Sequence, residues 1–247
     1  RRRELRRVSA RPLVCDTAMV MAAGLGKRMR PLTTTTPKPL VRVAGKPLID
    51  YALDHLEDAG VAKAVVNVHY LPEQVEAHLA HRSHPAVSIS DEREQLLETG
   101  GGMIKALPLL PDPFFCVNSD NVWLDGPRNA LVELSERWDP EIMDALLLVV
   151  PHPRAHHHLG LGDFHLDATG RITRRKPGRV APYIYIGIQI VSHRLLRDAP
   201  KGPFSTNVLW QRAIEEGRLY GLVHTGEWFE VGTPEAVAPT EARLSGG

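Results

Sequence analysis

The stretch Met21-Ala22-Ala23-Gly24-Leu25-Gly26-Lys27-Arg28-Met29-Arg30-Pro31-Leu32-Thr33, with Pro37-Lys38-Pro39-Leu40 three threonines later, decides how the rest of this chain is read. An apolar run, 18–23, stops at two glycines and a cluster of cations. Glycines let a backbone approach an anion, successive N–H groups point inward, and Arg or Lys offsets the charge. A strand ending in such a turn predicts a phosphate cradle. Two common glycine patterns fail here. A dinucleotide fingerprint needs a third glycine where Met29 stands. A P-loop needs glycine at Met21 and a hydroxyl at Arg28.

Working outward, the flanking sequence predicts an alternating α/β chain. Strands are expected at 18–23, 61–68, 86–90, 114–117 and 145–150, with helices at 47–59, 72–80, 103–110 and 127–138 between them. That order predicts a doubly wound, mostly parallel sheet whose ligands collect at the carboxyl ends of the strands. The glycine loop and the turn Asn118-Ser119-Asp120 both follow strands, so both belong on that rim. Beyond 150 the pattern shifts to strands at 162–166, 171–175 and 183–191, a helix near 205–216, strands near 219–224 and 227–231, and a closing helix from 234. The expectation is one domain over 17–247, with a nucleotide-binding half, 17–150, and a sugar-binding half, 151–247, built on a small antiparallel extension.

Bulk properties narrow the function. The 247 residues are 43% hydrophobic and 24% charged, an ordinary globular balance. The net charge of +1 hides an asymmetry, because residues 1–16 hold six arginines against Glu4 and Asp16. Taking these from the 30 basic and 29 acidic residues leaves 24 and 27, a net of −3. A mildly acidic body argues against nucleic acid as a partner. The basic leader, 1–16, is expected to be disordered, with an arm for an anionic partner as the alternative. Cys15 and Cys116 make neither a disulfide framework nor a zinc site, which fits a reducing, cytoplasmic setting. No run approaches the length of a membrane span, so no membrane partner is expected.

Taken together, the glycine loop and its Pro-Lys-Pro-Leu tail closely resemble the sugar-1-phosphate nucleotidyltransferase family. Leu97-Glu98-Thr99-Gly100-Gly101-Gly102, Asn118-Ser119-Asp120, Gly162-Asp163-Phe164, Lys176-Pro177 and Trp228-Phe229-Glu230-Val231-Gly232-Thr233 extend the likeness to about residue 239. The resemblance implies a Rossmann-like α/β fold with helices on both faces of a mixed sheet. It implies transfer of a nucleotidyl group from a nucleoside triphosphate to a sugar 1-phosphate, releasing pyrophosphate. The triple-glycine loop and compact length favour UTP and N-acetylmuramate 1-phosphate, as in cell-wall recycling. GTP with mannose- or heptose-1-phosphate is the alternative. It also implies roles. Ala22, Ala23, Gly24, Gly26, Lys27, Arg28, Thr99 and Gly100 would hold the nucleotide, and Arg28 and Lys38 would act in catalysis. Lys38, Asn118, Lys176 and Asn207 would hold the sugar phosphate, while Asp120 and Glu230 would bind Mg2+.

Chemistry supports that inventory. A phosphate monoester loses its second proton near pH 6, so the nucleophile needs no base. What must be overcome is repulsion between polyanions, which calls for cations and a divalent ion. Two departures stand out: Glu230 occupies a position where the family uses aspartate, and Arg175 replaces a glutamate before the Lys-Pro pair. The first leaves a non-catalytic sugar-nucleotide sensor as a rival reading, and a nicotinamide-dependent reductase is a second. Asn207 follows Ser205 and Thr206, either of which serves equally as a helix cap. His152, His156, His157, His158 and His165 read as a flexible surface or substrate rim rather than zinc ligands.

Overall fold

The computed structural model describes residues 12–246. Residues 1–11, most of the expected leader, lie outside the described residues. Residues 12–16, also expected to be disordered, are tied to the fold. Leu13 and Val14 pack on the core, Cys15 is buried, and the Val14 N–H donates to Ser135 Oγ at 2.6 Å.

The apolar run ahead of the glycine loop forms β1 (Thr17–Met21). A small hairpin of β2 (Arg42–Val43) and β3 (Lys46–Pro47) leads into α1 (Leu48–Ala59). That helix buries Leu48, Ile49, Ala52, Leu53 and Leu56, and ends where Gly60 takes a left-handed φ of 91°. Next come β4 (Lys63–Val68), α2 (Pro72–Leu79), β5 (Ala86–Asp91), α3 (Glu98–Ala106) and β6 (Phe114–Asn118). After β7 (Asn121–Leu124), α4 (Ala130–Arg137) starts late because the Asn129 side chain caps it, accepting from the N–H groups of Leu131 and Val132. β8 (Ala145–Pro151) and the short β9 (Ala155–His156), β10 (Phe164–Leu166) and β11 (Ile172–Arg174) precede the long β12 (Tyr183–Val191). The chain closes with α5 (Asn207–Glu215), β13 (Leu219–Val223), β14 (Glu227–Glu230) and α6 (Val237–Ser245).

β6, β1, β4 and β5 run parallel in that order, and β13 runs parallel to β8. β12 joins the two sets, antiparallel to both β6 and β8, and carries the β10–β11 hairpin on its first half. The architecture is therefore the expected mixed α/β sheet. Helices cover both faces, because α1, α2 and α4 pack with one apolar cluster and α3 and α5 with the other. Alternate residues of β1 divide between them, Ala18 and Val20 on one side and Met19 on the other.

Two features depart from the sequence reading. First, α3 begins at Glu98 and takes in all three glycines, although a helix was expected only from 103. Glycine disfavours helix by about 1 kcal/mol each, but here close packing overrides that cost. A Cβ on Gly100 would stand 2.2 Å from the Phe204 ring, one on Gly101 2.6 Å from the Gly202 carbonyl, and one on Gly102 2.9 Å from Glu92. Gly100→Ala is thus expected to lower stability by about 1–3 kcal/mol, the usual cost of overpacking a core. Thermal unfolding measures it, and an unchanged Tm would show that the Phe204 segment yields freely.

Second, a separate three-stranded sheet, β7–β14–β9, stands beside the main one. Neither β7 nor β9 is among the strands expected from the sequence. Phe229 and Val231 from this region, with Val122, cover Met29 of the glycine loop, which is fully buried between exposed Arg28 and Arg30. This third apolar cluster fastens the loop.

Candidate active site

The glycine loop leaves the carboxyl end of β1 next to residues 118–120, since Met21 pairs with Asn118 and the Ser119 N–H donates to Met21 O. Gly26 adopts φ 61°, and its carbonyl accepts from Thr33 Oγ1 at 2.7 Å. Residues 27–29 then form a single tight turn that projects Lys27 and Arg28 outward. Gly24 is exposed, and a Cβ there would meet nothing within 4 Å.

Three cavities join along this rim. The first, about 610 Å3, is lined by Ala22, Ala23, Gly24, Gly26, Lys27, Arg28, Lys38 and Thr99, together with Asn118 and Asp120. The second, about 210 Å3, shares Arg28, Lys38, Asn118 and Asp120 with it and adds His158, Asp163, Tyr185 and Glu230. The third, about 280 Å3, shares Asp163 and Tyr185 with the second and adds Arg174, Arg175, Asn207 and Trp210. Shared lining residues set the three side by side, a trough-like row from the glycine loop to α5.

Antiparallel pairing of β14 with β7 sets Glu230 opposite Asn121, one residue beyond Asp120. Two acids 110 positions apart in sequence thereby line one small cavity. Each carries a cation. Lys38 Nζ lies 2.5 Å from Asp120 Oδ2, and Arg28 Nη1 lies 3.6 Å from Glu230 Oε1. The other Glu230 oxygen is 2.7 Å from His158 Nδ1. The Lys38 side chain is only 13% exposed, whereas that of Arg28 is 70% exposed.

Among the described residues no group of three or more His, Cys, Asp or Glu side chains is arranged to hold a metal. Two carboxylates lining one small cavity nevertheless suit a hard divalent ion such as magnesium. That ion commonly takes one or two protein carboxylates and completes its shell with substrate phosphates and water.

Several sequence expectations need correction. Gly100 is buried and its N–H donates to Phe204 O at 2.9 Å, so its backbone is occupied in joining α3 to the segment ahead of α5. Ala22 lines the first cavity, but its N–H donates to Asn67 Oδ1 at 2.7 Å. Lys176 is exposed in the turn after β11 and does not line any of the three cavities. Asn207 lines the third cavity, with its Oδ1 accepting from Arg174 and its N–H donating to Ser205 Oγ. Of the five histidines, His157 and His165 are exposed and His158 lines the second cavity, but three are held in place. His158 faces Glu230, His156 stacks on Phe229 at 4.7 Å, and His152 bonds Ala181 O.

Sequence reasoning missed a buried network as well. Asn67 Nδ2 donates to Glu92 Oε1 at 2.8 Å, and Glu92 Oε2 accepts from the Leu97 N–H. With the Ala22 bond, this fixes the first loop to the start of α3 across the base of the trough. Gly187 was missed too. At φ 76°, in the bulge of β12, it leaves room for Asn118 and Asn121, whose Nδ2 donates to its carbonyl at 3.0 Å. No local pattern marks either feature. Both cysteines are buried, and burial pushes each thiol up to about 12, so neither offers a thiolate nucleophile.

The fold and trough together define a Rossmann-like α/β protein that presents a cation-bearing glycine loop to a pair of acids. The Nucleotidyl transferase family model matches residues 17–244, and the chain belongs to this family, the sugar-1-phosphate nucleotidyltransferases that its loop resembles. It is 46% identical over 233 residues to an N-acetylmuramate alpha-1-phosphate uridylyltransferase of Caulobacter vibrioides, covering 92% of this chain and 96% of the relative. A protein of the same description from Neisseria meningitidis is 38% identical over 229 residues, covering 87% and 93%. Among solved structures, UDP-glucose pyrophosphorylase complexed with UDP-glucose superimposes with a TM-score of 0.77. It is 15% identical and covers 94% of this chain and 99% of that one, a likeness of fold. No helix among the described residues is long and apolar enough to cross a membrane.

Proposed function

We propose that this chain transfers the uridylyl group of UTP to N-acetylmuramate 1-phosphate, releasing pyrophosphate. The observation that carries this reading is the 46% identity, spanning nearly both full lengths, to a relative of that description. The joined cavities support it, since they offer room for a nucleotide, a phosphate junction and a sugar in sequence.

In this reading an oxygen of the sugar phosphate attacks the α-phosphorus of UTP. A new P–O bond forms, the α–β anhydride bond breaks, and pyrophosphate leaves with the electron pair. The nucleophile is already largely dianionic at neutral pH, so no proton has to move. Gly24 and Gly26 admit the triphosphate close to the backbone. Lys38, almost enclosed at the junction of two cavities, faces the α-phosphate and the incoming phosphate. Arg28 spreads its planar fork over charge building on the α- and β-phosphates. Asp120 and Glu230 would hold a divalent ion, magnesium by preference, whose charge would offset repulsion between the substrates. His158 orients Glu230 through the oxygen turned from Arg28. A cytoplasmic setting, where nucleoside triphosphates are available, goes with this reaction.

Pyrophosphate release across a matrix of UTP, GTP and CTP against N-acetylmuramate, mannose, heptose and glucose 1-phosphates tests the reading. UTP with N-acetylmuramate 1-phosphate is expected to be fastest. Saturable binding without turnover in every combination would instead favour a sensor. Glu230→Asp is expected to keep turnover within about tenfold, because magnesium accepts either carboxylate, whereas Glu230→Gln should lose far more. Inactivity of a folded Glu230→Asp variant would show that the longer arm, spanning Arg28 and His158, is required.

A further inference from the structure

Arg174, like Arg175 and Arg212, is partly buried yet hydrogen-bonded only to neutral groups, and of these three Arg174 and Arg175 line a cavity. Arg82 and Arg218 each meet a carboxylate, at 2.7 Å from Asp54 and 2.6 Å from Asp144. Arg174 meets neutral groups: its Nε donates to Gln211 Oε1 at 2.9 Å, its Nη1 to Asn207 Oδ1 at 3.1 Å and its Nη2 to Asn207 O at 3.0 Å. Among the described residues no carboxylate oxygen lies within 4 Å of it. It stands two residues from buried Ile172 on β11, so strand alternation turns it inward beneath α5 and over the Phe164 ring.

Guanidinium has five N–H donors, and three are engaged here. A half-buried cation with neutral partners and spare donors at a cavity wall is prepared for an anion, because desolvation is already met and geometry already fixed. Burial lowers the pKa of Arg174 from its ordinary value, the charge of Asp163 offsets this only in part, and an arriving anion would offset more. The other charges on the cavity favour the same sign of ligand. Arg175 adds a second guanidinium, steadied by the carbonyls of Gly162 and Arg179, while the single acid, Asp163, has its Oδ2 held by the Tyr185 N–H at 2.9 Å. The cavity adjoins the one lined by Lys38 and Asp120, with Asp163 and Tyr185 lining both.

We propose that the cavity between β11 and α5 is a specificity pocket in which Arg174 receives a carboxylate carried by the sugar ring, so that the chain selects an acidic sugar 1-phosphate over its neutral counterpart. This rests on the uridylyltransferase reading above and adds the residue that recognises the acid. Asp163 remains free to accept from ring hydroxyls at the entrance.

The matched pair N-acetylmuramate 1-phosphate and N-acetylglucosamine 1-phosphate differ by the lactyl ether and its carboxylate, and they test the pocket directly. With UTP fixed, the ratio of their kcat/KM values is expected to favour the acidic sugar in the natural protein. Arg174→Gln should reduce that ratio roughly tenfold to hundredfold, the effect of losing one charge-assisted hydrogen bond, and Arg174→Lys should restore part of it. Calorimetric binding of UDP-N-acetylmuramate and UDP-N-acetylglucosamine gives a readout without turnover. Arg174→Gln should weaken the first selectively. An unchanged ratio, an equal loss for both sugars, or no preference in the natural protein would overturn the pocket assignment. Selective binding without pyrophosphate release would overturn the catalytic reading while leaving Arg174 in its role, and binding of neither sugar nucleotide would overturn both.

Discussion

Asp120→Asn is expected to lower kcat by about a thousandfold, ~4 kcal/mol of transition-state stabilisation, with little change in melting temperature. Asparagine keeps the shape of the side chain, and its carbonyl oxygen still accepts from Lys38, which otherwise would be a nearly enclosed cation without a partner. What disappears is one negative charge at the junction where two polyanionic substrates meet. A neutral amide is a much poorer ligand for a hard divalent ion, so repulsion between the substrates returns to the barrier. Steady-state kinetics over a magnesium series, with unfolding curves as control, measures this. A variant within tenfold of the natural rate would remove Asp120 from the set of metal ligands.

Arg28→Ala is expected to cost about a hundredfold to a thousandfold in kcat, comparable to losing a preorganised donor that acts mainly in the transition state. Stability should hardly move. The side chain is 70% exposed, and its contact with Glu230 at 3.6 Å is a surface ion pair, worth well under about 1 kcal/mol. Arg28→Lys should recover only part of the rate, since an ammonium keeps the charge and loses the planar fork. An effect confined to KM for UTP would mean that Arg28 binds the ground state and transition state equally.

Much of the fold was legible in the sequence because its signals are local. The period-two and helical apolar patterns located most strands and helices, and Gly60 marked the end of α1. The glycine loop was legible as a turn ending the first strand, and its place on one rim with 118–120 was legible because both follow strands, which prove to be neighbours. The failures are equally specific. Gly100, Gly101 and Gly102 read as a loop because glycine weakens a helix, yet each vacates space for a different long-range partner, Phe204, Gly202 or Glu92. Lys176, expected at the sugar phosphate from its motif, is exposed beside Arg175 and lines none of the three cavities. His158, read only as surface or substrate rim, gains its partner Glu230 where β9 and β14 pair.

The sequence by itself determined that a cation-studded glycine turn caps the first strand of an α/β chain, since neighbouring residues alone decide periodicity, turn conformation and local charge. Only the tertiary structure decided which distant groups share a cavity. Strand pairing of β7 with β14 brings Asp120 to Glu230, and packing of α5 on β11 turns Arg174 inward. The reason is physical: a local pattern fixes what each segment can become. Where segments meet depends on register and burial summed over the whole chain.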